Sequence, residues 1–369
     1  MKKLLLSSFA ACAIVYSMYG QLSPKTIQVG AVNRNYLEYL PAGLDPSNES
    51  PSLVFILHGI GGTNSQMVSA GFNNIADTAR VIVYYPQGIG NAFGQTSWNN
   101  GTLLASTVDD ISFFNKIIDS AIFNYNVDPS RVYITGFSMG SIMSHHMACE
   151  MNDRFAAIGC MAGTMPTSDI QNCNPAYATP VIHLHGTADG TVPYDGAALP
   201  SLSLVQETMD FWTNVHGCDA TYDSIGMPNL ANDGITVDRF IYSNCNPLGS
   251  VELYRMNGAD HVYLYQPVND ITEMIEIWWF LNKWSHPSPA AAHVNEMFSN
   301  SFKMYPNPAE NYLFINVQEN AQYEIHQMNG AKVLSGYLLN GENQINLNSL
   351  TSGVYVVNVA GVKKRLIIN

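Results

Sequence analysis

SLVFIL (52–57) is apolar without a break after its opening serine, so a strand there must be covered on both faces. RVYIT (131–135), FAAIGCMAG (155–163), PVIHL (180–184) and VELYRM (251–256) repeat this kind of run. Between the runs lie stretches with helical character: NNIADTA (73–79), TVDDISFFNKIIDSAIFNY (107–125), SIMSHHMACE (141–150), SLVQETMDFWTNVH (203–216) and ITEMIEIWWFLNKW (271–284). Thr107 and Asp110 predict a capping box for the second of these. Strands alternating with helices predict an α/β architecture, a mainly parallel sheet with helices on both faces. In such a sheet reactive groups collect where strands end at their carboxyl side.

Three such ends carry chemistry. GFSMG (136–140) places Ser138 between two glycines at a strand-to-helix corner, where a nucleophile elbow throws the hydroxyl clear of both elements. The plain alternative is a glycine-bounded turn with a serine cap. His58-Gly59-Ile60-Gly61-Gly62 follows SLVFIL, and glycines there let backbone N–H groups face an oxyanion. The amides of Ile60 and Met139 are the predicted pair. HGTADGTVPYDG (185–196) presents Asp189 and NGADHVYLY (257–265) presents His261. The order Ser138, Asp189, His261 is that of α/β-hydrolases, with His261 as base and Asp189 as its orienting acid. Asp219, Asp223 and Asp260 remain alternatives for the acid, and His185 for the base.

These segments, with SWNNG (97–101), VDDISFFNKIID (108–119), VDPSRVYITGFSMGSIMSHHMACE (127–150) and GADH (258–261), resemble secreted esterases of the polyhydroxybutyrate depolymerase-like group, including feruloyl and acetylxylan esterases of carbohydrate esterase family 1. The resemblance spans nearly all of residues 25–285 and implies an α/β-hydrolase fold with a serine triad and no metal or organic cofactor. The chain departs from the group at NGTLLAST, where many relatives have a cysteine pair, and in the residues flanking His261. The substrate implied is a polysaccharide-linked or polymeric ester. Feruloyl and acetyl esters of plant cell wall lead, a polyhydroxyalkanoate is the rival, and a catalytically silent surface adhesin is the alternative from another class.

The opening MKKLLLSSFAACAIVYSMYGQ reads as a secretory signal peptide over residues 1–20, and the esterase domain is expected at 21–286. No later run is long and apolar enough to span a bilayer. The formal net charge is −13. The last 67 residues are slightly basic, so the acidic excess lies in the body, which excludes nucleic acid as its partner. Five cysteines remain after the signal, with no zinc spacing, and export favours disulfides. Cys218 and Cys245 bracket a polar, turn-rich excursion and are expected to pair. Cys149 is expected to pair with Cys173, Cys160 being a competitor for either and otherwise a buried thiol.

Trp98 is the candidate substrate-binding residue, as an aromatic or sugar subsite, with packing inside its own domain as the equal alternative. The tryptophans of WWFLNKW (278–284) read as core. His183 and His185, two apart on a strand, lack further partners at metal-ligand spacing and read as structural. His145 and His146 are adjacent on a helix and diverge.

SHPSPAAAHVNEMFSNS (285–301) lacks apolar periodicity and reads as a linker, placed at 287–302. Residues 303–369 show short alternating strands between Asn-Gly, Asn-Gly-Glu-Asn and Ser-Gly turns, the pattern of a small all-β sandwich. Tyr305-Pro306-Asn307-Pro308, LTSGVYVV and the ending KKRLIIN resemble the C-terminal sorting domain of the type IX secretion system of Bacteroidetes. That resemblance implies the type IX machinery as a partner and a secreted or cell-surface destination. A carbohydrate-binding module is the competing reading.

Overall fold

The computed structural model describes residues 20–195, 199–246, 249–289, 302–317, 320–327, 331–359 and 362–369. The signal peptide expected at 1–20 lies outside them but for Gly20, and the linker expected at 287–302 but for 287–289 and 302. The chain divides into two compact units, Met1–Ala292 and His293–Asn369.

The main sheet of the first unit has ten strands: β1 Gln21–Val29, β2 Val32–Leu40, β3 Ser52–Leu57, β4 Val81–Pro86, β5 Val132–Phe137, β6 Ala157–Met161, β7 Val181–Gly186, β8 Tyr222–Gly226, β9 Thr236–Tyr242 and β10 Val251–Asn257. They lie side by side in the order β1-β2-β4-β3-β5-β6-β7-β10-β9-β8. The pairs from β4 to β10 are parallel, whereas β1, β2, β9 and β8 add antiparallel edges. This is the mostly parallel sheet of an α/β-hydrolase. Register brings Leu57 opposite Gly136, Phe137 opposite Met161, Met161 opposite Leu184, and Met256 opposite Gly186. The carboxyl ends of five neighbouring strands therefore open along one rim, which is what lets residues far apart in sequence share a site.

Every residue of β3 is buried, and alternate residues go to opposite faces. Leu53, Phe55 and Leu57 join a core with Phe113 and Phe114 of helix Asp110–Tyr125, Met143 and Met147 of helix Met139–Glu150, and Trp212 of helix Val205–His216. Val54 and Ile56 join a second core with Phe72 of helix Phe72–Ala79 and Ile277 of helix Glu273–Leu281. Burying each such side chain stabilises the fold by about 1.5–3 kcal/mol, which is why the run contains no polar face.

Several local expectations are corrected. Helix Asp110–Tyr125 is capped by Asp109, whose carboxylate accepts from the Ser112 amide, rather than by a Thr107–Asp110 box. Asp110 is instead drawn inside by Arg34 at 2.5 Å and the Asn99 amide at 2.7 Å. The excursion between Cys218 and Cys245 is not only turns: it carries β8 and β9 onto the sheet edge. Within WWFLNKW, Trp278 is buried whereas Trp279 is 61% exposed. Cys149–Cys173 and Cys218–Cys245 are disulfides, and Cys160 is a buried free thiol.

The second unit contains two antiparallel sheets. One pairs Phe302–Tyr305, Tyr312–Val317 and Gly341–Asn346; the other orders Lys332–Leu338, Ala321–Gln327, Gly353–Val359 and Val362–Ile368. Leu313 and Ile315 from the first share one core with Ile325, Val357 and Leu366 from the second, giving a small sandwich. Among the described residues no helix is long and apolar enough to cross a membrane.

Candidate active site

Ser138 leaves β5 with φ +56° and ψ −119°, a left-handed conformation that a serine adopts only under constraint. The glycines explain the constraint. A Cβ at Gly136 would lie 2.4 Å from the Gly140 carbonyl carbon, and one at Gly140 would lie 2.4 Å from the Leu57 oxygen. At Gly163 it would meet the Ser138 oxygen at 2.3 Å. The corner is thus clamped between β3 and the turn after β6, and the Ser138 amide donates to the Met161 carbonyl at 2.8 Å.

The loop after β3 packs on this corner, with a Cβ at Gly59 placed 3.2 Å from that of Ser138. His58 Nε2 accepts from the Gly88 amide at 2.9 Å and from Gln87 Nε2 at 3.0 Å, so its Nδ1–H donates to the Gly59 carbonyl at 2.7 Å. Burial pushes the His58 imidazole down, against the pull of the Gly59 bond, and keeps it neutral in this role. Met139 directly follows Ser138, and Ile60 directly follows Gly59, where an added Cβ would meet Ser138. Among the described residues the backbone N–H groups of Ile60 and Met139 donate to no protein acceptor, as the first turn of helix Met139–Glu150 requires for Met139.

Trp98 is not a substrate platform. It is fully buried, its indole N–H donates to the His58 carbonyl at 2.9 Å, and it packs on Phe114. Its apolar bulk fills the core under the loop, so it braces the loop from below.

On the opposite side, His261 Nδ1 meets Asp189 Oδ2 at 2.7 Å. Asp189 Oδ1 accepts from the amides of Thr191 and Val192, both at 2.8 Å. Burial raises the Asp189 carboxyl, but hydrogen bonds from His185, His261 and the Val192 amide outweigh it and hold the group well below the usual carboxylate range. The His261 ring lies 4.8 Å from that of Phe137, the residue before Ser138. No hydrogen bond joins the Ser138 hydroxyl to His261 in this resting geometry, a bond that commonly tightens only with substrate present. The other acids fall elsewhere. Asp260 accepts from the Gly190 and His261 amides, Asp219 accepts from Asn244, and Asp223 is exposed at the sheet edge. His185 is buried behind Asp189, at 3.3 Å from the same Oδ2.

Sequence reasoning missed His58 as the buttress of the glycine loop and His185 as a donor to the acid. His58 directly precedes the glycines, but its partners Gln87 and Gly88 come from the next strand's end, which spacing does not reveal.

Residues 96–216 match the family model described as Phospholipase/Carboxylesterase, and residues 303–369 match the Secretion system C-terminal sorting domain. A bifunctional acetylxylan esterase/xylanase of Neocallimastix patriciarum is 26% identical over 260 residues, covering 70% of this chain and 34% of that protein. Feruloyl esterase B of Piromyces equi is 28% identical over 238 residues, covering 62% and 42%. Poly(3-hydroxyalkanoate) depolymerase C of Paucimonas lemoignei is 26% identical over 275 residues, covering 66% and 62%. The chain spans less than two thirds of the length of each of these three relatives. The chain has an α/β-hydrolase fold whose residues 96–216 match the phospholipase/carboxylesterase family, with feruloyl esterases and polyhydroxyalkanoate depolymerases among its relatives, and it carries a C-terminal secretion sorting domain.

Proposed function

We propose that the protein is an exported serine carboxylesterase acting on feruloyl or acetyl esters of plant cell-wall polysaccharide. The observation that carries the reading is the 2.7 Å bond from His261 Nδ1 to Asp189 beside a left-handed serine corner. Ser138 Oγ attacks the ester carbonyl while His261 Nε2 takes its proton, and Asp189 holds the ring in the Nδ1–H tautomer and stabilises the imidazolium. The amides of Ile60 and Met139 receive the oxyanion. Collapse expels the alcohol, protonated by His261, and leaves an acyl group on Ser138. Water activated by the same histidine then releases the acid. The acyl and alcohol assignments follow the relatives' names and the quoted motifs. Export by the type IX machinery to the cell surface or beyond follows from the sorting domain.

A polyester reading has one observation in its favour. Leu103 on the loop beside Met139, and Val262 and Tyr265 after His261, are exposed apolar side chains suited to a hydrophobic polymer surface, at 71%, 42% and 49% exposure. A fluorophosphonate probe should label the wild type and not Ser138→Ala. Turnover of methyl ferulate, acetylated xylan and polyhydroxybutyrate film then ranks the substrates. An unlabelled wild type would sink the esterase reading in favour of the adhesin, and release from film alone would replace the cell-wall substrate.

A further inference from the structure

Behind Asp189 runs a file of buried side chains that the triad chemistry does not use. Trp212, His145, His183 and His185 are all 0% exposed. Trp212 Nε1 lies 3.1 Å from His145 Nδ1; His145 Nε2 lies 3.3 Å from His183 Nδ1; His183 Nε2 lies 3.1 Å from His185 Nδ1. His185 Nε2 ends the file, 2.8 Å from the Val192 carbonyl and 3.3 Å from Asp189 Oδ2.

An indole N–H can only donate, and this fixes the direction of every later bond. His145 must accept at Nδ1 and so carries its proton on Nε2. His183 must then accept at Nδ1 and donate from Nε2, and His185 likewise. All three rings are neutral Nε2–H tautomers, and their dipoles run one way, towards Asp189. The ionisable groups facing the file are Asp189 at its end, Cys160 beside His145 and His183, and Tyr194 edge-on to His185. Burial, with the neighbouring rings adding to it, pushes His145 down to about 3 and His183 well below its ordinary range. Burial pushes the Cys160 thiol up.

The ligand atoms of His145, Cys160 and His183 lie within 4.8 Å of one another, a spacing a metal ion could use. The direction of the file argues against that. Each Nδ1 lone pair is already accepting a proton, and each Nε2 carries one.

We propose that Trp212, His145, His183 and His185 form a one-way hydrogen-bond chain whose function is to position Asp189. His185 shares its N–H between the Val192 carbonyl and Asp189 Oδ2, while the Thr191 and Val192 amides hold Oδ1. The carboxylate is thereby fixed with an Oδ2 lone pair on His261 Nδ1–H. Such chains polarise along their length, so each upstream donor strengthens the last one. The chain does not carry protons away, because the indole cannot accept one and the tautomers cannot all invert. These four are positioning residues: they act on the reaction through Asp189.

The inference rests on the Ser138–His261–Asp189 reading, and the experiment separates the two. Long-range 15N–1H correlation spectra of the imidazoles in the full-length wild type, assigned by single-histidine substitution, should show His145, His183 and His185 each as a neutral Nε2–H ring. His183→Leu removes both an acceptor and a donor, whereas His183→Gln retains one of each. The leucine variant should lose about 10- to 100-fold in kcat with KM little changed, and the glutamine variant should recover most of it. Trp212→Phe removes only the group that sets direction, and an Nδ1–H ring should then appear among His145, His183 and His185. A merely structural role predicts equal losses for leucine and glutamine that track melting temperature. That result, or an Nδ1–H or doubly protonated ring among the three in the wild type, would overturn the chain. Asp189→Asn assayed alongside tests the underlying reading: full activity there removes the triad, whereas inactivity there with full activity in His183→Leu removes only the chain.

Discussion

Around Ser138 the site is made of backbone, and around Asp189 it is made of side chains. Ser138 is held by a left-handed turn, three glycines at which an added Cβ would lie 2.3–2.4 Å from neighbouring main chain, and a carbonyl-bound amide. Asp189 is held by two imidazoles and two amides converging on its two oxygens. The first construction tolerates almost no added atom yet has few groups that titrate. The second has room for substitutions of similar shape but depends on which atom carries a proton. Damage to the first should therefore appear as failure to form the corner, and damage to the second as a correctly folded but weak enzyme.

The sharpest contrast lies within the corner itself. Ser138→Ala should lower turnover by about 10⁶-fold with the melting temperature nearly unchanged, since only the hydroxyl is removed. Gly140→Ala, which adds a single carbon 2.4 Å from the Leu57 oxygen, should instead yield little folded protein. Well-folded Gly140→Ala with wild-type kcat would break the comparison.

At the acid end, Asp189→Asn should fold normally and lose about 10⁴-fold in kcat, because the amide favours the wrong His261 tautomer. Its pH–rate profile supplies the check on cause. A loss that is uniform across pH, with the circular dichroism of the wild type, fits a tautomer defect, and a parallel fall in melting temperature does not.

Between these ends lies the Trp98–His58 brace, a side-chain device acting on a backbone loop. Trp98→Phe keeps the ring and deletes the donor to the His58 carbonyl, a buried hydrogen bond worth about 1 kcal/mol. The expected loss is about fivefold in kcat/KM, measured on a small ester to avoid any contribution from polymer binding. A larger loss on polysaccharide than on the small ester would restore a substrate role to Trp98.

What was legible in the sequence follows the same division. The parallel sheet could be read because SLVFIL and its companions are buried on both faces and are mostly apolar. The elbow and the two strand-end residues could be read because each lies at the end of such a run. The edges were harder: β1 alternates exposed and half-buried positions, β2 mixes exposed and buried ones, and β8 is exposed throughout, so none of the three carries a continuous apolar run. Trp98 was indistinguishable from a surface aromatic because its partner, the His58 carbonyl, belongs to a loop 40 residues away. His145 and His183 were read one element at a time, as diverging helix residues and a strand pair. Only the packing of helix Met139–Glu150 against the sheet makes them neighbours.

The smallest effect on turnover, and the finest test of the side-chain construction, concerns Glu273. It is fully buried, accepts from the Leu264 amide at 2.9 Å through Oε1, and leaves Oε2 without a partner among the described residues. Burial pushes its carboxyl up to about 8, against the Leu264 bond that pulls it down, so near neutral pH the group is mostly protonated. The folded value exceeds the ordinary 4.5, so the folded state binds the extra proton between those two values. Its contribution to stability is complete below pH 4.5, is lost as pH rises towards 8, and changes no further above that. The slope is at most roughly 1.4 kcal/mol per pH unit while the proton leaves. Glu273→Gln keeps the shape and the acceptor but cannot ionise. Its melting temperature should fall less than that of the wild type between pH 5 and pH 9, with kcat at pH 7 within about twofold of the wild type because its hydrogen bonds to the His261 loop are made at Leu264 and not at His261. Parallel melting curves for the two proteins would mean that Glu273 is ionised in the fold and that its unpaired oxygen is solvated.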